Sequence, residues 1–368
     1  MNKEINGRSV TLTLTNRCNL NCAYCYESGK NNNSMSFDIA KTIIDSETSQ
    51  QDDSMIIFEL FGGEPFLEFN LIKEIYGYIE TKNLKNWLMF ATTNGTLIHN
   101  EIQAWLIKHK KHFVCGLSLD GTAEMHNINR SNSFEKIDLD FFYKHYPNQH
   151  VKMTISPQTL PNLFEGVVFV HNKGFRISCN LAFGIDWSNP QNAQCLETEL
   201  KKLIDYYLNN PDIEPCSILG INFDQLGYQS NGQTIRKWCG TGTHMHTYDV
   251  DGKCYPCQFF MPISAGAERA RELGSISFDE QIPIQKLDKK CQSCAIANAC
   301  PTCYGSNYVS NGDIYLKDDN YCRLTKLTLR ARSYFRAKQW EMGQIKLSDE
   351  KELALLRAIL LIQSEINV

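Results

Sequence analysis

The stretch "TNRCNLNCAYCYE", residues 15–27, places Cys18, Cys22 and Cys25 within eight residues, directly behind the run "SVTLTLT" at 9–15. Apolar and polar residues alternating at period two read as a β-strand, so the three thiols stand at that strand's C-terminal end. Comparable runs recur at 54–61 ("SMIIFELF"), 87–93 ("WLMFATT"), 113–120 ("FVCGLSLD"), 150–156 ("HVKMTIS") and 175–183 ("FRISCNLAF"). Helical patterns separate them near 35–50, 68–82, 99–110, 134–145 and 161–173. Six strands alternating with helices predict an α/β fold whose parallel sheet curls into a full or partial barrel. In such folds the strand C-terminal ends build the active site. Here those ends are polar or glycine-rich: the cysteine loop, "GGEP" (62–65), "TNGT" (93–96) and "SLDG" (118–121).

Composition limits what the thiols mean. The chain has 368 residues, 42% hydrophobic and 21% charged, which suits a globular protein with a substantial core. A net charge of -4 and a pI of about 6.2 leave no basic footprint for nucleic acid. No apolar run reaches the length of about 18 residues that spans a bilayer, and "MNKEINGRSV" lacks the apolar core of a signal peptide. The expectation is a cytoplasmic protein without nucleic-acid or membrane partners. A reducing cytosol does not sustain disulfides, so fifteen cysteines point to metal ligation.

The cysteines are unevenly placed. Three lie at the start, eight between Cys239 and Cys322, and Cys115, Cys179, Cys195 and Cys216 are scattered, as small buried hydrophobes would be. Residues 1–184 form the expected barrel and 185–235 a bridging region with a helix at 196–209. Residues 236–330 form a cysteine-rich domain, with so little apolar periodicity that metals are expected to hold it. Residues 331–368 form a C-terminal helical segment whose amphipathic stretch, 349–366, is expected to pack on the body.

Thiolates are the normal ligands of a cubane [4Fe-4S] cluster. Cys-x3-Cys-x2-Cys covers three of four irons and leaves the fourth open. A half zinc site completed from elsewhere is the alternative. The arrangement resembles the signature of the radical S-adenosylmethionine (SAM) enzymes, in which the open iron chelates SAM. Reductive cleavage of SAM then yields a 5′-deoxyadenosyl radical that abstracts hydrogen. The resemblance implies that Cys18, Cys22 and Cys25 hold this cluster and that Tyr24 packs near the adenine. It also implies that Gly62, Gly63 and Glu64 of "GGEP" engage the SAM ammonium, the glycines allowing close approach. "SLDG" followed by "MHNINR" is similar to the segment of peptide-modifying members in which a serine and an arginine, here Ser118 and Arg130, hold SAM polar groups. Thr93, Asn94, Asp120 and Leu181 complete the expected cofactor-binding set.

The later cysteines resemble the SPASM extension of radical SAM enzymes, so the likeness runs over roughly residues 9 to 325. That resemblance implies two auxiliary [4Fe-4S] clusters, making three in all. The first would take Cys239, Cys254, Cys257 and Cys303, and the second Cys291, Cys294, Cys300 and Cys322. One spacing departs from the pattern: two residues, not three, separate Cys300 from Cys303. Cys254, beside Gly252, also suits a packing role, which would leave an iron for His244 or His246. Two zinc ribbons satisfy the same spacings, giving a non-catalytic binding protein as the remote alternative.

Enzymes with this extension act mostly on peptides and proteins, either maturing precursor peptides by crosslinks or converting sulfatases to the formylglycine form. Sulfatase maturases carry an aspartate one residue beyond the cysteine at 257, where this chain has Gln258, and an amide cannot accept a proton at neutral pH. Asp249 and Asp251 are the neighbouring carboxylates, although "YDVDG" also reads as a hairpin turn. The expected function is therefore a radical SAM oxidoreductase that crosslinks a ribosomally made precursor peptide, with an anaerobic sulfatase maturase as the alternative. Cys18 lies too near the start to follow a leader-recognition domain, so a separate recognition protein is an expected partner. An electron donor such as flavodoxin or ferredoxin is another.

Overall fold

In a computed structural model, residues 7–49, 54–228 and 233–365 are described. The expected helix ends at residues 50 and 366, and part of the bridging region, 229–232, lie outside them. Alternation decides the first strand, β1 (Gly7–Thr15). Val10, Leu12 and Leu14 on one face and Thr11, Thr13 and Thr15 on the other are all buried. The apolar face packs against α1 (Phe37–Thr48), through Ala40, Ile43 and Ile44, and α2 (Phe69–Thr81), through Ile72 and Ile75. Burying side chains of this size contributes about 1.5–3 kcal/mol each. The Ser36 hydroxyl starts α1 by accepting from the Ile39 amide.

The alternation continues with β2 (Met55–Gly62), β3 (Trp87–Thr93), α3 (Asn100–His109), β4 (Phe113–Leu117), α4 (Ala123–Asn129), α5 (Leu139–His145), β5 (Val151–Ile155), α6 (Leu163–Asn172) and β6 (Ile177–Leu181). All six strands fall where the sequence places them. Helix α4 was not expected; Thr122 caps it by accepting from the Met125 amide, and at seven residues it is too short to show periodicity. Strands β1 to β4 are parallel neighbours, β5 and β6 form a second parallel pair, and the Ser118–Lys152 bridge joins the two sets. This is the expected partial barrel of six β/α units.

Helix α7 (Gln191–Asn209) follows, then β7 (Thr234–Arg236), β8 (Met245–Tyr248) and β9 (Cys254–Tyr255). Strand β8 pairs in parallel with β1, and β9 pairs antiparallel with β8, so part of the cysteine-rich region extends the barrel sheet. Short helices α8 (Pro262–Ala265) and α9 (Ala267–Arg271), strand β10 (Gln281–Pro283) and helices α10 (Lys289–Gln292) and α11 (Tyr304–Asn311) come next. This region has an apolar core of its own, including Tyr255, Phe259, Phe260, Met261 and Tyr308. It buries more apolar surface than its lack of periodicity suggests, because these residues come from a two-residue strand, a single helical turn and a short helix.

Helix α12 (Asp319–Glu341) runs unbroken through residue 330, where the sequence reading set a boundary. Helix α13 (Asp349–Glu365) buries Leu355, Ala358, Ile359 and Ile362 against Phe223, Ile296 and Leu329, as its amphipathic pattern predicts. Cys115, Cys179 and Cys216 are buried hydrophobes, while Cys195 is half-buried. No helix of the described residues is long and apolar enough to cross a membrane.

Candidate active site

The loop behind β1 is built onto the ends of the neighbouring strands. The β1–β2 register slips between Thr13 and Thr15, bringing Gly62 opposite Thr15. The amides of Gly63 and Glu64 then donate to the carbonyls of Thr15 and Arg17, at 3.0 and 2.9 Å. A Cβ on Gly63 would lie 2.2 Å from the Arg17 carbonyl oxygen and 2.8 Å from the Cys18 Cβ. Only glycine permits this approach, so "GGEP" is a cradle for the cysteine loop.

The Glu64 carboxylate, 1% exposed, ties β2 to β3. It accepts from the Thr93 hydroxyl at 2.8 Å, the Asn94 amide at 2.8 Å and the Phe66 amide at 3.2 Å. Burial nevertheless raises its pKa to about 7. Asn94 donates to Asn19 at 2.8 Å, and Asn19 donates to Thr96 at 2.8 Å. The "TNGT" loop therefore holds the cysteine loop from the side.

Asp120, fully buried, is the other anchor. It accepts from the Tyr24 hydroxyl at 2.5 Å, Arg130 Nε at 2.9 Å, the Asn129 amide group at 3.2 Å and the Thr154 amide at 2.9 Å. Burial and Asp120 push the Tyr24 pKa well up, so its hydroxyl remains a donor. Burial opposes the charge of Arg130, but Asp120, with Tyr24 and Cys22, more than offsets it and keeps the guanidinium protonated. Helix α4 positions Arg130, whose amide donates to His126 O at 2.7 Å, while Ala23 donates to Asn129 O at 2.9 Å. Buried Ser118 donates its amide to Thr93 O at 2.9 Å, and Leu181 presents its carbonyl to Tyr321 at 3.4 Å. These residues, expected from distant parts of the sequence, meet at the β1–β6 C-terminal ends.

Cys18, Cys22 and Cys25 are free, half-buried and within electrostatic reach of one another. Burial pushes the Cys22 thiol up to about 11, against the pull of Arg130. Burial raises Cys18 as well, and a bound metal centre would draw such thiols to the thiolate form.

The later cysteines fall into two groups. Cys239, Cys257 and Cys303 act on one another, and so do Cys291, Cys294, Cys300 and Cys322. The short spacing before Cys303 is accommodated because Cys303 caps α11, its sulfur accepting from the Ser306 amide at 3.4 Å. Gly305 allows that helix to press in, since a Cβ there would meet Phe259 Cβ at 2.3 Å.

Cys254 is not brought to the first group. Strand β9 points Tyr255 inward, which turns Cys254 outward to Tyr248 and Glu47. His246 also turns that way, lying 2.8 Å from Glu47. His244 lines a hollow shared with Cys239 and lies 3.6 Å from Glu280. Asp249 and Asp251 form the β8–β9 turn, accepting from the Val250 and Lys253 amides at 2.7 and 2.9 Å.

Two residues beside Cys25 escaped the sequence reading. Tyr26 stacks on Phe259 with ring centroids 4.1 Å apart, bonds the Gln258 side chain and acts electrostatically with both Cys25 and Cys257. It therefore lies between the N-terminal thiols and the first later group. Glu27 is buried and has a carboxylate oxygen without a partner among the described residues. Only adjacency to Cys25 marked either one. A cavity of about 140 Å³ opens between the end of β6 and α11, lined by Phe183, Gly184, Cys303, Ser306 and Tyr321. Another hollow, of about 590 Å³ between α7 and α12, is lined by residues such as Leu200, Ile204, Leu327 and Tyr334 and lies away from these groups.

The family described as "4Fe-4S single cluster domain" matches residues 5–136, the segment that carries the N-terminal thiols and both anchors. An uncharacterised protein of Methanocaldococcus jannaschii is 43% identical over 115 residues, a match spanning 31% of this chain and 39% of that protein. The cysteine-type anaerobic sulfatase-maturating enzyme of Clostridium novyi is 26% identical over 274 residues, 67% of this chain and 72% of that one. The subtilosin biosynthesis protein AlbA of Bacillus subtilis is 34% identical over 121 residues, 32% of this chain and 25% of that one. Among solved structures, native anSMEcpe with bound AdoMet superposes with a TM-score of 0.69 at 19% identity, covering 92% of this chain and 100% of that one. Streptococcus suis SuiB bound to precursor peptide SuiA has a TM-score of 0.56 at 16% identity, covering 86% and 76%. At these identities the structural likeness is one of fold. The chain is similar over two thirds of its length to anaerobic sulfatase-maturating enzymes and over about a third of it to the subtilosin biosynthesis protein, and it shares the fold of anSMEcpe and SuiB.

Proposed function

We propose that this chain is a peptide maturase that removes hydrogen from a residue of a precursor peptide and joins that residue to another. The observation that carries this reading is Tyr26, which lies between the Cys18/Cys22/Cys25 group and the Cys239/Cys257/Cys303 group. A peptide lying against both groups would meet the hydrogen-abstracting site on one side and an electron-accepting site on the other. When bound, SAM and the N-terminal cluster would supply reductive SAM cleavage and hydrogen abstraction.

This chain's residues supply the rest. The Asp120–Arg130–Tyr24 network fixes the cysteine loop and holds a guanidinium beside Cys22, suited to a SAM carboxylate. Glu64, Thr93 and Asn94 hold "GGEP" and "TNGT" at the positions expected for SAM contacts. Two auxiliary clusters are assigned to the later groups, with three thiolates in the first and four in the second. The cavity at Cys303 has room for a peptide side chain. Gln258, bound to Tyr26, favours crosslinking over formylglycine formation, because its amide is no base. This reading calls for an electron donor, and for leader recognition by the bridging region, the cysteine-rich domain or a separate protein, or for a leader-independent mode.

The test is anaerobic reconstitution with SAM, reductant and short peptides encoded beside the gene, followed by mass spectrometry. A peptide that loses two hydrogens supports the reading. An unchanged peptide set, with a sulfatase cysteine converted to formylglycine instead, supports the sulfatase-maturing alternative, to which the Clostridium novyi relative points.

A further inference from the structure

Lys317 lies on the turn between α11 and α12 and is only 6% exposed. Its ammonium donates to Cys300 Sγ at 3.0 Å and reaches Thr325 Oγ1 at 3.5 Å. Cys300, one of the four cysteines in the second group, thus faces a buried cation directly. The nearby carboxylates pair with other groups: Asp288, which also acts on Cys291, and Asp319 both pair with Lys290, and Asp318 accepts from the Tyr321 amide at 2.8 Å. Among the described residues, no carboxylate pairs with Lys317.

A buried ammonium persists only where negative charge balances it. Four neutral thiols do not provide that charge, whereas four thiolates around a metal centre do. The first group is different, because its nearby lysine, Lys237, lies 3.5 Å from Glu280 and donates to Thr241 O and Thr243 Oγ1 at 2.7 Å each. There the cation is already paired.

We infer that Lys317 is the charge-balancing residue of the Cys291/Cys294/Cys300/Cys322 site, and that it raises the reduction potential of the iron–sulfur group held there. Reduction adds one electron and no proton, so the site becomes more negative by one charge. A fixed ammonium and an N–H···S hydrogen bond both stabilise that change. This inference rests on the proposed assignment of those four cysteines as cluster ligands.

The test uses the reconstituted full-length chain and its Lys317→Gln, Lys317→Met and Lys317→Arg variants. Iron and sulfide are counted, and the clusters are titrated potentiometrically with detection by electron paramagnetic resonance. The signal absent from a Cys322→Ser variant belongs to the second group. Gln and Met are expected to lower the midpoint of that signal, so that the reduced-to-oxidised ratio at the wild-type midpoint falls by about tenfold or more. Arg should retain the wild-type value, and the signal of the first group should not move. If both neutral variants lose this cluster while Arg keeps it, the charge-balancing role is supported directly. Gln and Met variants with full iron content and wild-type midpoints would overturn the inference while leaving the ligand assignment intact. Zinc in place of iron at this site in the wild-type chain would overturn both.

Discussion

The two cysteine regions are held in different ways. The loop bearing Cys18, Cys22 and Cys25 turns Leu20 and Tyr24 inward and is fixed by polar ties from the strand ends: Gly63 and Glu64 just beyond β2, Asn94 just beyond β3, Asp120 and Arg130 from beyond β4. The segment from Cys239 to Cys322 folds around its own aromatic core, which includes Cys257 and has Cys303 packed against it. The first region is therefore a site imposed by a barrel, and the second is a small domain that carries its sites. A single polar change should disturb the first through its scaffold, whereas the second should respond mainly to changes at the ligands themselves.

The largest expected effect breaks the comparison at its centre. Cys22→Ala should abolish SAM cleavage, measured as 5′-deoxyadenosine formation, while keeping about eight of an expected total of about twelve irons. In the second region, Cys257→Ser should remove about four irons, and Cys254→Ser should remove none, because Cys254 faces Tyr248 and Glu47. Iron analysis of the two variants side by side tests whether three or four thiolates hold the first auxiliary group.

Scaffold changes come next. Arg130→Met leaves the buried Asp120 carboxylate without its cation, a loss of about 3–5 kcal/mol. It should also weaken SAM binding by about 10–100-fold, as removal of an orienting partner does elsewhere. Chemical denaturation and SAM titration report the two effects separately. A wild-type melt together with wild-type SAM affinity would show that the network orients nothing.

The smallest effect concerns pH. Burial raises the folded-state pKa of Glu64 to about 7, from an ordinary value of 4.5. The folded chain therefore binds more protons than the unfolded chain between these values. The stabilisation is fully present below about pH 4.5 and is lost as pH rises through about 7, up to about 3 kcal/mol in all. Glu64→Gln should flatten this part of the stability–pH curve of the apo chain. An unchanged slope would mean that Glu64 is ionised when folded.

Much of this arrangement is legible in the sequence. The six barrel strands and the tight Cys-x3-Cys-x2-Cys loop depend on local periodicity and spacing, so 9–15 and 15–27 can be read residue by residue. The grouping of Cys291, Cys294 and Cys300 is also legible, because the three lie close together in sequence. What escapes depends on tertiary placement. Whether Cys254 points in or out is decided by the pairing of β9 with Tyr248, which leaves no local trace. Strand β8 looks like one arm of a hairpin, and nothing in "MHTY" shows that it joins β1. Lys317 reads as a surface lysine until α11 and α12 close over it, and Tyr26 as a cluster neighbour until Phe259 stacks on it.

The central claim is that one substrate site lies between the N-terminal thiols and the first later group. Its most direct test is to incubate the reconstituted enzyme with SAM, reductant and a neighbouring-gene peptide deuterated at candidate residues, and to follow where the deuterium goes. Deuterium should move from one peptide position into 5′-deoxyadenosine, and the same peptide should lose two hydrogens. Formation of 5′-deoxyadenosine without deuterium from any such peptide, and with every peptide unchanged in mass, would contradict it.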